Sequence, residues 1–228
     1  METLSNTKIK PMVGDVYSYG WKVMERNFWP LLLVSIIVAI VSPNITIKPE
    51  DLQMPEIIAI IFGLAFALFV TNPINYGADY IFLKAVRNIK FEVKEIVDGF
   101  KKNYLNVVLA ALLSGSIIVA GFILLVVPGI ILACRLAFVP YLVMDKQLDP
   151  VKAVEESWRL TKGYGWTIFG MGLLAIPVVI AGILALLVGV LVSIVWISAA
   201  FAAMYQAVLE ERGENERIVE SLDNDLTE

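Results

Sequence analysis

The sequence contains no histidine. That absence removes Ser-His-Asp and Cys-His catalysis, His-ligated zinc and the HExxH metalloprotease motif together. Cys134 is the single cysteine, so neither an intrachain disulfide nor a cysteine metal cluster can form. No phosphate-binding loop or EF-hand is present. Charge is scarce too: Asp, Glu, Lys and Arg make up 18% of 228 residues, against about 25% in an ordinary soluble domain. With 58% hydrophobic residues and a mean hydropathy of +0.76, a disordered chain, a collagen-like repeat and a nucleic-acid-binding domain are excluded. The expectation is a membrane protein with no metal and no cofactor.

What the chain has in abundance is uncharged run. A helix needs roughly 20 apolar residues to cross a hydrocarbon core of about 30 Å. Between Arg26 and Lys48 lie 21 uncharged residues, and between Glu56 and Asp79 lie 22. Asn103 to Met144 is a run of 42, interrupted by Arg135 alone, and 47 residues separate Lys162 from Glu210. The first two runs hold one span each and the last two hold two each. The expected spans are about 28–43, 56–82, 104–127, 129–144, 165–187 and 190–209. Pro128 and Gly129 are read as one turn and Gly189 as the other, with Gly182 and Gly189 alternatively serving as packing residues. Pro177 is expected to kink the fifth helix without ending it. A signal peptide is not expected, because the first apolar run follows a patterned segment and no small-x-small site comes after it.

Lysine and arginine stay on the cytoplasmic side. Sixteen of the 18 fall before the first span, between even and odd spans, or after the last; the exceptions are Lys48 and Arg135. Both termini are therefore expected in the cytoplasm. Ser42 to Pro55 is the sizeable external loop. The residues after Leu209 form a soluble acidic tail of net charge −6, expected to be mobile.

Each odd-numbered span follows an amphipathic segment. In Asp149–Gly163, Asp149 suits the N-cap, Pro150 the first turn and Gly163 the exit. Val151, Val154, Trp158 and Thr161 share one face. Val93, Ile96, Val97 and Phe100 do so in Glu92–Lys102, as do Val13, Val16, Tyr17 and Met24 in Met12–Asn27. Gly20-Trp21, Gly99-Phe100 and Ser157-Trp158 align as a small residue before a large ring. Phe28, Tyr104 and Tyr164 follow them. The chain thus reads as three units, each an amphipathic helix plus a two-span hairpin. Either the units are a structural repeat, or three interfacial helices share one chemistry. The fold class is all-α: a polytopic six-transmembrane-helix bundle with three cytoplasmic amphipathic interfacial helices. Trp21, Phe100, Trp158 and Trp166 are its candidate interfacial anchors.

Arg135 is the unusual residue. Counted along its span it falls near mid-bilayer, where an arginine costs on the order of 2.5–3.5 kcal/mol. It is expected to be structural, bonded to helix carbonyls or to Asp79 or Glu155; the other reading is an anion or lipid-headgroup site. Asp79 follows the polar stretch Asn72-Pro73-Ile74-Asn75-Tyr76-Gly77. A broken helix there, with Asn72, Asn75 and Asp79, could hold a cation in a transporter. Ser114 and Ser116 have no lysine near them in sequence and suit helix packing, as do Ala199, Ala203 and Ala207.

Pro128-Gly129, Arg135, Pro140, Ala153, Glu156-Ser157-Trp158, Thr161 and Gly163 carry a resemblance over residues 128–166. They resemble a group of bacterial integral membrane proteins related to the membrane domain of some glycerophosphoryl diester phosphodiesterases. The resemblance implies a six-helix protein of the bacterial inner membrane. The fused enzymes keep their catalysis in a separate soluble barrel with histidine, so the activity does not carry over. The function expected is a non-enzymatic scaffold or accessory factor acting on membrane lipids or membrane partners. The alternative is a small-molecule or ion transporter.

Alkaline phosphatase fused after Asp51 or near Pro128 is expected to be active, and fused after Gln147 or at Glu228 inactive. Activity at Glu228 would exclude an even number of spans.

Overall fold

A computed structural model describes residues 9–42, 54–101 and 103–213. The described residues contain helices and no strands. In chain order they are α1 (Val13–Arg26), α2 (Phe28–Val41), α3 (Met54–Phe66), α4 (Asn72–Val86), α5 (Asp98–Lys101) and α6 (Tyr104–Leu124). There follow α7 (Val126–Arg135), α8 (Val139–Asp145), α9 (Pro150–Thr161), α10 (Gly165–Leu184) and α11 (Leu186–Glu211). Five helices are long and apolar enough to cross a membrane, and six if α1 and α2, bent by 101° at Asn27, count as one. The chain is an all-α, multi-pass membrane protein. The external loop expected at Ser42–Pro55 lies largely outside the described residues, as does the acidic tail beyond Gly213.

The turns fall beside the residues singled out for them. Leu125, extended at φ −165°, makes the turn between α6 and α7 by itself. Pro128 sits in the first turn of α7, where a missing N–H leaves no helical bond unmade. Gly129 instead permits close packing: a Cβ there would come within 2.5 Å of the Phe122 ring. Ala185, not Gly189, separates α10 from α11. Gly182 and Gly189 face each other across that hairpin, a Cβ on Gly182 reaching 2.7 Å from the Gly189 oxygen. Ser193 Oγ stands 2.9 Å from both the Val178 and Gly189 carbonyls. Pro177 lies inside α10 without ending it.

The fourth span is longer than 129–144 and is broken. It runs through α7 and α8, with a turn at Leu136–Phe138. The stretch at Asn72, by contrast, does not break its helix. A π-helical turn (Ala67–Thr71) joins α3 to α4, so the span is helical from Met54 to Val86. Pro73 cannot donate to the Phe69 carbonyl, and the Tyr104 hydroxyl takes that acceptor at 2.9 Å. The freed group is satisfied from a neighbouring helix, so the ladder has no reason to open.

Burial divides the molecule into two layers. Toward the hairpin turns, Ile40, Phe62, Ile123, Leu124 and Leu184 are exposed, as lipid-facing side chains should be. Toward the charged ends, apolar residues are packed solid. Ala202 to Leu209 of α11 are buried without a gap, against Ile81, Phe82 and Leu83 of α4 and Leu136, Phe138, Val139 and Leu142 around α8. The second spans thus form an inner triad, and α2, α6 and α10 pack outside it.

The segments between hairpins close a ring around this triad. A 3-10 turn (Val93–Val97) and α5 pack on α4, α9 packs on α8 and the start of α6, and α1 packs on α11. Each unit's charged segment therefore rests on the second span of another unit. The aligned small residues sit at those contacts. A Cβ on Gly20 would lie 2.8 Å from the Ala200 amide nitrogen, and one on Gly99 would overlap the Pro73 carbonyl. The Ser157 hydroxyl donates to the Arg135 carbonyl at 2.7 Å and accepts the Phe138 N–H at 3.3 Å. Trp21, Phe100 and Trp158, which follow them, are all partly exposed. On α9 the buried face is Ala153, Ser157, Leu160 and Thr161, so Val151 and Trp158 point outward, contrary to the face read from apolar spacing. Small residues win the contact because the backbones approach closely.

Gly77 faces the Ile96 carbonyl so closely that any Cβ would overlap it. Gly77→Ala is expected to lower thermal stability in detergent by about 1–3 kcal/mol. Gly172→Ala, with nothing within 4 Å of the new Cβ, should be neutral or stabilising by up to about 1 kcal/mol. Equal behaviour of the two variants would contradict the packed layer.

Candidate functional site

Two polar constellations stand out. The first joins the inner triad at its charged end. Arg87, which follows α4, forms a bidentate pair with Asp145 at the end of α8: Nη1 to Oδ1 at 2.5 Å and Nη2 to Oδ2 at 2.8 Å. Its Nε donates to Gln206 Oε1 of α11 at 2.7 Å. The Tyr205 hydroxyl donates to Asp145 Oδ2 at 3.2 Å, and its ring stacks on Tyr141 and meets Phe138 edge-on. Both charged side chains are largely buried. Burial alone would lower the Arg87 pKa, but the hydrogen bonds and charge of Asp145 outweigh it and hold the guanidinium above its ordinary value. Sequence reading used Arg87 only as a marker of sidedness and missed its partner. The available signal was a pair of opposite charges ending two equivalent spans.

The second constellation is built around Arg135. It ends α7, and the turn after it is held by α9: besides Ser157, Thr161 Oγ1 lies 3.3 Å from the Arg135 oxygen. α9 exposes Lys152, Glu155 and Arg159 on its far side. Arg135 is level with Gly163 and Gly165, where the chain passes from α9 into α10, and all three line one cavity. It therefore stands at the boundary between the packed charged layer and the apolar layer. Counting along the span had put it near the middle; in the fold the turn at Leu136–Phe138 and the docking of α9 put packed protein on one side of it and the cavity on the other.

The guanidinium lies over the Trp158 ring, 5.6 Å from carbon to centroid. Its Nη1 is buried with no hydrogen-bond partner. The expected partners are not there: among the described residues no ion pair joins Arg135 to Asp79 or Glu155. Glu155 is exposed on the outer face of α9. The neighbouring Glu156 pairs with Arg159 and Lys146, and the Arg159 hydrogen bonds hold its carboxyl below the ordinary value, with burial opposing. The cavity beside Arg135, about 480 Å³, is walled by Val127, Ile130 and Ile131 of α7 and by Trp166 and Phe169 of α10.

Asn72, Asn75 and Asp79 do not join this cavity. They fall along one face of α4, and Asn75 Oδ1 is buried without a partner. Asp79 neighbours Tyr76 and Tyr141. The helix is continuous through these side chains, so the expected break is absent there. No group of three or more metal-ligating side chains exists among the described residues. Of the four anchors, Trp166 lines the Arg135 cavity and Trp158 lies against the Arg135 guanidinium. Trp21 donates to Glu25 Oε1 at 2.6 Å and meets Trp196, while Phe100 stacks on Tyr104.

Removing one member of a buried ion pair leaves the other charge unpaired, which costs about 3–5 kcal/mol. Arg87→Ala is expected to destabilise the folded protein by that order, read by unfolding in detergent. Arg87→Met combined with Asp145→Leu should recover most of the loss. A single variant with unchanged stability would show that the pair does not hold the triad.

No protein-family model, curated protein or solved structure matches the chain.

Proposed function

We propose that the protein is a non-enzymatic scaffold or accessory factor of the cytoplasmic membrane, acting on membrane lipids or membrane partners. In this reading its charged layer faces the cytoplasm. The observation that carries it is the continuous packing of that layer, in which the buried polar groups Arg87, Asp145 and Gln206 pair with one another. Ala202 to Leu209 are buried continuously where a transport path between the second spans would have to run. Two cavities lie at the periphery. One is beside Arg135. The other, about 580 Å³, lies at the α1–α2 bend and is lined by Arg26, Lys90, Glu92 and Glu95. Neither is a water-filled passage at mid-depth, which a transporter site would need. The lack of histidine in the sequence agrees with a role through surfaces rather than histidine-dependent chemistry. So does the resemblance of residues 128–166 to membrane proteins that lack the phosphodiesterase barrel.

Reconstitution tests the choice directly. Vesicles carrying the full-length protein should hold proton, sodium and potassium gradients as long as empty vesicles do, while purified protein retains bound phospholipid. Protein-dependent, gradient-driven flux would overturn the scaffold reading in favour of transport.

A further inference from the structure

An arginine at the edge of an apolar layer needs an anion or water for each N–H it presents. Three observations at Arg135 define what it lacks. Its Nη1 is buried and unpaired. Trp158, over whose ring it lies, contributes a ring face and no acceptor. The space beside it is a cavity of about 480 Å³ rather than packed protein. A buried donor with no acceptor costs about 1–3 kcal/mol, and more when charged. A stable fold tolerates that cost where a ligand supplies the missing group.

The shape of the cavity narrows the ligand class. Its α7 wall runs from Val127 to Arg135, about 12 Å at 1.5 Å per residue. That is close to the depth of one leaflet, about half of a 30 Å hydrocarbon core. Val127, Ile130, Ile131 and Phe169 make the wall apolar along this length, and the charge sits at one end. The charged end opens beside Gly163 and Gly165, where an added Cβ would meet nothing within 4 Å. A molecule that fits has an anionic head at Arg135 and a chain along α7. A small free anion would leave the apolar length empty, and an uncharged lipid would leave the guanidinium unpaired.

We infer that the groove between α7 and α10 binds an anionic phospholipid, with its phosphate on Arg135 and an acyl chain laid along α7. The guanidinium supplies in-plane N–H donors to phosphate oxygens, while Trp158 holds the ring-facing side by a cation–π contact. This rests on the reading that the protein acts on membrane lipids, and it names the site and the lipid class.

The test is thermal unfolding of the full-length protein in delipidated detergent with three additives: phosphatidylglycerol, phosphatidylcholine and inorganic phosphate. Ligand that binds only the folded state raises the midpoint. Phosphatidylglycerol should raise the wild-type midpoint by several degrees, beyond phosphatidylcholine at equal concentration, and phosphate alone should not reproduce the shift. Arg135→Gln should keep the lipid-free midpoint and lose the phosphatidylglycerol-specific shift. Arg135→Lys should keep part of it, since a point charge replaces a planar fork. Lys152→Ala, at an exposed cation of α9, should respond as wild type. If Arg135→Gln is poorly folded, a reduced fraction of Arg135→Lys carrying the bound lipid's mass in native mass spectrometry, relative to wild type, serves instead. An undiminished shift in Arg135→Gln would overturn this site while leaving the lipid-acting reading in place. A full shift from phosphate alone would make the site one for free anions. No lipid-specific shift in wild type would count against both.

Discussion

The Arg87–Asp145 pair is the constraint on which the arrangement depends. Two charges placed at the ends of apolar helices must be solvated or matched, and here each is matched by the other. The geometry is bidentate and shared: Arg87 also reaches Gln206, and Tyr205 donates to Asp145. Because the four residues come from the ends of α4, α8 and α11, the three second spans are brought to one point. Such a pair adds little net stability over well-packed apolar residues. Its value lies in register, because a helix that slid by one turn would leave a guanidinium or a carboxylate unpaired.

Once the triad is fixed at that end, the rest follows from small residues and shape. The space around it admits only close-lying segments, and Gly20, Gly77, Gly99 and Ser157 are where they approach. Within the apolar layer, where lipid is as good a solvent as protein for Leu and Ile, little holds neighbouring hairpins against one another. Buried residues are 56% of the most apolar window of α11, against 11% of that in the span from Ile57 to Val86. Cohesion is therefore concentrated at the charged end, and the Arg135 cavity opens where the two regimes meet.

Much of the architecture was legible because charge-free length is a direct reading of hydrocarbon thickness. Five of the six spans and the three intervening segments appear within a few residues of expectation, while the first, α2, is 14 residues long and reaches a span's length only together with α1. The turns were misplaced by the same kind of error. Pro128 and Gly189 carry the residue types of a turn, yet proline fits a helix's first turn and glycine fits a helix–helix contact equally well. Asn72-Pro73 looked like a helix break because the sequence does not show that Tyr104 would satisfy the carbonyl that Pro73 leaves free. On α9 the apolar spacing chose Val151 and Trp158, while closeness of approach chose Ala153 and Ser157. Arg135 was visible at once as an anomaly. Its partners were not, since whether a guanidinium is paired depends on residues brought together only by the fold.

The ring closes through α1, which must leave its own hairpin and dock on the last one, 154 residues away where the Tyr17 hydroxyl meets the Met171 carbonyl. A Cβ on Gly170 would lie 3.4 Å from Val13 Cγ2, so side chains at the two positions are in contact. Cysteines placed at Val13 and Gly170, in a chain carrying Cys134→Ser, should form an intrachain cross-link on mild oxidation in native membranes. The same Val13→Cys should not cross-link with Gly115→Cys. Absence of the first cross-link, or its appearance only between two chains, would contradict the closed ring.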